Sequence, residues 1–219
     1  MMRAFSLIEL LVVVGTISLL MAVMMPVVSR AREQAMVVAV NAELYGISTA
    51  LEAYALDNCN RYPPTRADCN PWARQHAYAL PEELVDESYL PGGSAGRVRY
   101  AKVEDKFNRG RTYKYVAVGP KYDYLGSPFG RQRLYVPAGF PNFEGEQLIM
   151  HDDPVTSPVT WVLFSAGPRC DQQLFDTGSF PLREGFPVAK RFWYDSKQRH
   201  GILTRLRLQR GFHIGSFSR

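Results

Sequence analysis

The 219 residues contain no Gly-rich phosphate loop and no HExxH. The motif-borne routes to nucleotide phosphate binding and zinc-assisted hydrolysis are therefore closed. Cysteine is scarce, at three residues, Cys59, Cys69 and Cys170, with no CxxC among them, so no spacing reads as a zinc site. Histidine is scarcer than charge would allow for a metal cage: His76, His151, His200 and His213 are scattered through loop-like or terminal sequence. His151-Asp152-Asp153 runs straight into Pro154 and reads as a solvated turn. No internal repeat and no low-complexity run occurs. Nothing in this inventory supports an enzyme.

One further absence is the most informative. From Leu10 to Val28 there is no ionisable side chain. As a helix rising about 1.5 Å per residue, the run Phe5 to Val28 extends roughly 36 Å, enough to cross a hydrocarbon core of about 30 Å. Near its start stands a single acid, Glu9. An ionised carboxylate in that setting costs on the order of 3 kcal/mol, so Glu9 calls for a cationic partner. The only cation before it is Arg3, in the head Met-Met-Arg-Ala. A cut between Ala4 and Phe5 would create a new α-amino group four residues before Glu9, one helical turn away. In a stack of identical helices the amine of one copy would equally reach Glu9 of the next.

Other readings of this stretch fit less well. A secretory signal has an apolar core of about 7 to 15 residues ending at small residues. Here the core is longer, contains Glu9, and has only Ser29-Arg30-Ala31 as an exit. A plain signal anchor explains the hydrophobicity but not Glu9 or the short head. A buried core helix is least compatible with the length.

The run Ala4-Phe5-Ser-Leu-Ile-Glu9-Leu-Leu-Val-Val-Val closely resembles the prepilin signal of type IV pilins and type II secretion pseudopilins. The resemblance implies cleavage before Phe5 by a membrane prepilin peptidase, methylation of the new amine, and use of Glu9 in filament assembly. Ala4 stands where family members usually have Gly. It also implies a cytoplasmic leader, which decides the orientation that Arg3, Arg30 and Arg32 leave ambiguous on a positive-inside count.

Beyond Val28, Pro26 is expected to kink the helix without ending it, because the periodicity resumes. Val37, Val40, Leu44, Ile47, Leu51 and Tyr54 recur at three and four residues, one apolar stripe along a helix ending near Leu56. Asn41, Glu43, Ser48, Thr49 and Glu52 fall on other faces. Two heptads are too few for a coiled coil, so the stripe is expected to dock on a sheet. The whole helix would then be roughly 80 Å long. Asp57-Asn-Cys-Asn60 and Pro63-Pro64 end it.

Residues 57–96 read as a loop-rich connector holding one short helix with Pro81 in its first turn, closed by Gly92-Gly-Ser-Ala-Gly96. The order Leu56-Asp57-Asn58 then Tyr62-Pro63 is similar to the pseudopilins. Strands follow. Arg97–Val103 and Arg111–Val118 flank Asn108-Arg-Gly110 as an expected hairpin, with a short strand at Arg133–Val136 and the best buried strand at Thr160–Ser165. Arg191–Tyr194 and Gly201–Leu208 form an expected last pair, the second alternating with Arg205 and Arg207 on a solvated face. The fold class is α+β: a long N-terminal helix, half membrane-spanning and half amphipathic, packed on a small antiparallel sheet head, as in pilins. The expected divisions are a leader 1–4, an assembly helix 5–28, an outer half 29–57 and a head 58–219.

In an exported head, Cys59 and Cys69 would close a short loop worth about 3 kcal/mol on the chain-entropy estimate, leaving Cys170 over; three reduced thiols are the alternative. Ser165-Ala-Gly-Pro168 resembles a turn of the major pseudopilins whose following loop often holds calcium. Arg169 stands at the usual Asp, leaving Asp171 and Asp176 as the calcium candidates, and no cofactor is otherwise expected. The net charge of +5 is uneven: 183–219 carries nine Lys/Arg against Glu184 and Asp195, so the remainder is net acidic. Aromatics interleave with those cations, a pattern that binds single-stranded nucleic acid. They fall where strands would bury them, so nucleic acid is not the expected partner.

The expected function is a structural subunit of a type IV pilus-like or type II secretion pseudopilus fibre. Its expected partners are copies of itself, other pilin-like subunits, prepilin peptidase and an inner-membrane assembly platform. It would be a single-pass bacterial inner-membrane protein with the head outside the cytoplasm, later an extracytoplasmic fibre. The alternative is a membrane-anchored extracytoplasmic binding protein or enzyme with an uncut anchor.

Overall fold

A computed structural model describes residues 7–66, 77–95, 98–123, 125–168 and 187–217. The chain divides into two compact units, Met1–Val38 and Ala39–Arg219. Helix α1, Leu7–Asp57, is one continuous element of 51 residues that runs through Pro26 without ending. Proline has no N–H to give the carbonyl one turn back, and Ser29 Oγ donates to Pro26 O at 3.0 Å on the following turn.

Within the second unit the expected stripe is the buried face of the helix: Val40, Leu44, Ile47 and Leu51 are each 2% exposed or less. The helix stops where Asn58 and Asn60 take its last carbonyls, Tyr54 O and Ala55 O, with Cys59 and Asn60 at positive φ.

The central sheet has four antiparallel strands in the order β11-β10-β9-β4. These are β4 (Lys114–Ala117), β9 (Val159–Ser165), β10 (Leu203–Leu208) and β11 (His213–Gly215). β9, expected to be the best buried strand, is buried at every residue but Thr160, and β4 is buried at all four of its residues. Cross-strand registers set two faces. Val116, Val162 and Leu206 lie opposite one another on one face, with Phe164 and Val159, over a core completed by Val136, Phe140 and Val188. Tyr115, Leu163 and Arg205, then Ala117, Trp161 and Arg207, share the other face, which meets the outer part of α1.

Smaller ladders complete the α+β head. β1 (Thr65–Arg66) pairs in parallel with β5 (Gly119–Tyr122), which pairs antiparallel with β6 (Pro128–Gln132). β2 (Gly92–Ala95) pairs with β3 (Val98–Ala101), and β7 (Leu134–Pro137) with β8 (Leu148–His151). The connector helix is the single turn α2, Glu83–Asp86, with Glu82 as N-cap, so Pro81 lies just outside it.

Four expectations are corrected. Residues 92–95, read as loop, form β2. The hairpin of 97–103 with 111–118 is reduced to one bridge, Glu104 to Thr112, although Asn108-Arg-Gly110 does turn, with Gly110 at φ 78°. β3 takes β2 as its partner and β4 takes β9. The cause is Asp105, whose carboxylate is drawn into the head by Ser165 Oγ at 2.7 Å and Ala166 N at 3.2 Å, which takes the chain out of a ladder. Lys190–Phe192 is a 3-10 turn, and the 191–194 stretch forms one ladder bridge, Trp193 to Ile202, just before β10; β10 pairs instead with β9 and β11. Finally, Arg205 and Arg207 face the helix and are only partly exposed, not on a solvated face.

Candidate functional site

The apolar half of α1 is unlike the rest of the chain. Leu7 through Val28 is exposed all round, from 81% at Leu7 to 44% at Val13, and the helix is long and apolar enough to cross a membrane. A helix apolar on every face has no water-facing side and belongs in lipid or among other such helices. Its few hydroxyls are satisfied within the helix: Thr16 Oγ1 donates to Val13 O at 2.9 Å and Ser18 Oγ to Val14 O at 2.8 Å. That removes the cost of bringing them into hydrocarbon. Glu9 is exposed in the first turn, where a carboxylate also suits the positive end of the helix dipole. Ala4 and Phe5 lie outside the described residues.

In the second unit, the polar residues of α1 are points of attachment. Glu43 accepts Tyr113 O–H at 2.6 Å and pairs with Lys106. Ser48 Oγ accepts Arg205 Nε–H at 2.8 Å, and the Arg205 guanidinium lies 4.8 Å from the Tyr45 ring centre. Glu52 is the hub. Its Oε1 lies 3.0 Å from both Arg207 Nε and His213 Nε2, and its Oε2 accepts Tyr62 O–H at 2.8 Å. One carboxylate thus joins α1 to β10, to β11 and to the chain after the helix. Burial, then the Glu52 contact, raises the Tyr62 hydroxyl far above the usual phenol range. Burial is also the largest influence on His213 and lowers it, outweighing the Glu52 carboxylate that would raise it.

Asp105 is fully buried. It accepts from Ser165 Oγ, Ala166 N and Phe107 N, and burial still pushes its carboxyl above the usual range. Lys114, also buried, donates from Nζ to Ala77 O at 2.9 Å. The bonds of Asp105 tie the β3–β4 loop to the end of β9.

The remaining sequence candidates are not brought together. Cys59 is exposed with a free thiol, while Cys69 and Cys170 lie outside the described residues, as do Asp171 and Asp176. The turn before the calcium candidates is tight: Gly167 has φ 69°, and a Cβ there would lie 2.0 Å from Gly201 O. No group of three metal-ligating side chains occurs among the described residues. Asp153 Oδ1 accepts Val155 N and Asp152 O accepts from Arg131, as a surface turn would. Of the basic tail, Arg205 and Arg207 are engaged with α1, and Phe192 and Trp193 pack against the core.

The sequence reading missed Asp105 and the binding roles of Glu43, Ser48 and Glu52. For the last three a signal existed, since they sit at the flanks of the apolar stripe, within reach of whatever the stripe covers. No protein-family model, curated protein or solved structure matches the chain. A long apolar N-terminal helix whose outer part packs on a small sheet head is compatible with a pilin-like fold.

Proposed function

We propose that the chain is a structural subunit of a type IV pilus-like or type II secretion pseudopilus fibre. The observation that carries this reading is the apolar helix exposed on every face with one acid, Glu9, four residues after Phe5 in the sequence, continuing into the helix that holds the head. A plain anchor accounts for the exposure; it gives no reason for a carboxylate at that depth.

In this reading the subunit waits in the inner membrane, is cut before Phe5 by prepilin peptidase, and is methylated on the new amine. An assembly platform then draws it into a fibre, where neighbouring helices replace lipid around Leu10–Val28. The amine of Phe5 meets a Glu9 carboxylate and sets the register of each incoming copy; as lipid gives way to protein the pair is desolvated, so a missing partner is costly. The role is mechanical. Glu9→Ala is expected to leave cleavage intact and to abolish incorporation into sheared fibres. Fibres of normal yield from that variant would contradict the reading.

A further inference from the structure

Two features at opposite ends of the second unit are opposite in character, one a groove lined by tyrosines and arginine and the other an exposed tip bearing Phe143 and Glu146. The bonds between α1 and the sheet fix which end is which. Ser48 meets Arg205 and Glu52 meets Arg207, so β10 runs in the direction of α1. The ends of α1 and β10 therefore share one end of the unit. There lies a groove of about 820 Å³. Its walls include Tyr62, Pro64, Tyr122 and Pro154, and its cations are Arg61 and Arg207. No carboxylate is among its lining residues; Arg207 is already paired with Glu52 behind the wall, which leaves Arg61 as the exposed cation. The ring of Tyr62 has the Arg207 guanidinium 5.1 Å from its centre, and that of Tyr122 has Arg66 at 5.9 Å. Each cation draws on the ring it covers, which leaves walls less negative than a bare tyrosine face and so suited to apolar contact and to negative charge. Four prolines, 63, 64, 120 and 154, stiffen the rim.

The start of β10 marks the other end. Ile202 N donates to Phe192 O, and just before it Lys190 N donates to Glu144 Oε1 at 2.6 Å and Lys190 Nζ to Pro141 O at 3.0 Å. These bonds seat the tip of the β7–β8 hairpin, residues 138–147, at that end. The tip is a knob of the opposite character. Phe143 is 65% exposed, Glu146 is exposed, and Glu144 stands between them. Its shape is set in advance: Phe143 rests on Gly139, at φ 79°, where a Cβ would come within 2.2 Å of the ring. Gly145 N and Ala138 N close the tip onto Ala138 O and Gln147 O at 2.9 Å.

We infer that the Phe143–Glu146 knob of one copy docks in the Arg61–Tyr62–Tyr122 groove of the next, the aromatic ring against the tyrosine and proline walls and Glu146 toward Arg61. The inference rests on the fibre reading above and names a head contact within that fibre. Because knob and groove lie at opposite ends of the same unit, the contact is heterologous, the kind that propagates into an open filament and does not close a dimer. The occupant is a second copy because this chain carries, exposed and preformed, the aromatic-acidic complement that a cationic aromatic groove lacks.

The native thiol of Cys59, exposed two residues before Arg61, supplies a probe. The full-length chain carrying Glu146→Cys, oxidised mildly in cells, is expected to give a ladder of dimers and higher species on a non-reducing gel. The ladder should vanish when Cys59→Ser is added. A monomer band alone, or a ladder that survives Cys59→Ser, would overturn the inference. Independently, Glu146→Arg and Arg61→Glu are each expected to lower the yield of sheared fibres about tenfold, and the two together to restore it. Single variants with undiminished yield would also overturn it. Both residues are exposed, so neither change threatens the fold. If Glu9→Ala abolishes fibres while the cross-link and charge swaps do nothing, the docking is wrong and the fibre reading stands.

Discussion

The two halves of α1 are one helix built for two solvents. From Leu10 to Val28 every face is apolar and exposed, hydroxyls turn back onto their own backbone, and nothing ionises. From Ala39 to Asp57 only one stripe is apolar, and the polar residues beside it reach outward to Tyr113, Arg205, Arg207 and His213. Helix propensity does not separate them, since Leu, Val, Ala and Glu serve in both. What separates them is where polar groups find partners: within the helix in the first half, across to the sheet in the second. A chain written this way can exchange the surroundings of its first half, lipid for neighbouring helices, while the grip of the second half stays the same.

Substitutions in the two halves should therefore fail differently. Leu51→Ala empties a fully buried site and is expected to cost about 2 to 5 kcal/mol of head stability, read by denaturant unfolding of the detergent-held chain, with membrane retention unchanged. Leu19→Arg is the converse. It should cost about 3 kcal/mol of insertion and shift the chain into the carbonate-extractable fraction, with the unfolding midpoint unmoved. If either change moved both readouts, the division of labour would be wrong. Glu52→Ala removes the hub but in a partly exposed setting, so about 1 to 2 kcal/mol of head stability is expected, less than for the buried leucine.

The smallest effect sharpens the comparison by pH. Burial lowers His213 below its usual value of 6.5, so the folded head prefers the neutral ring. That stability is fully present above pH 6.5 and is lost as the pH falls through 6.5 toward the lowered folded value. The unfolding midpoint should decline across that window, and His213→Gln should flatten the decline. An unchanged slope in that variant would contradict the assignment to His213; the raised carboxyl of Asp105 acts in the opposite sense, stabilising the head as the pH falls.

How much of this was legible follows from the range over which each feature is encoded. The stripe Val40, Leu44, Ile47 and Leu51 is a local period and reads directly, as does the apolar run of β9. The pairing of β4 with β9 does not, because 44 or more residues separate the partners and the turn at Asn108–Gly110 advertises a nearer one. Asp105 was illegible for the same reason: an aspartate before a turn looks solvated until Ser165, sixty residues on, is placed against it. Arg205 and Arg207 show the limit of alternation. A period of two says that they share a face; only the register of Ser48 and Glu52 on α1 says that this face is covered. For the apolar half of α1 the sequence is nearly everything, since Glu9 and the run after it are what make that half unusual.

The central claim is that the first half of α1 is an assembly handle released by a cut, and not a permanent anchor. The direct measurement is the intact mass and N-terminal peptide of the native protein from cells that contain the peptidase. The account predicts a chain beginning at methylated Phe5. A chain that keeps Met1 in those cells would contradict it.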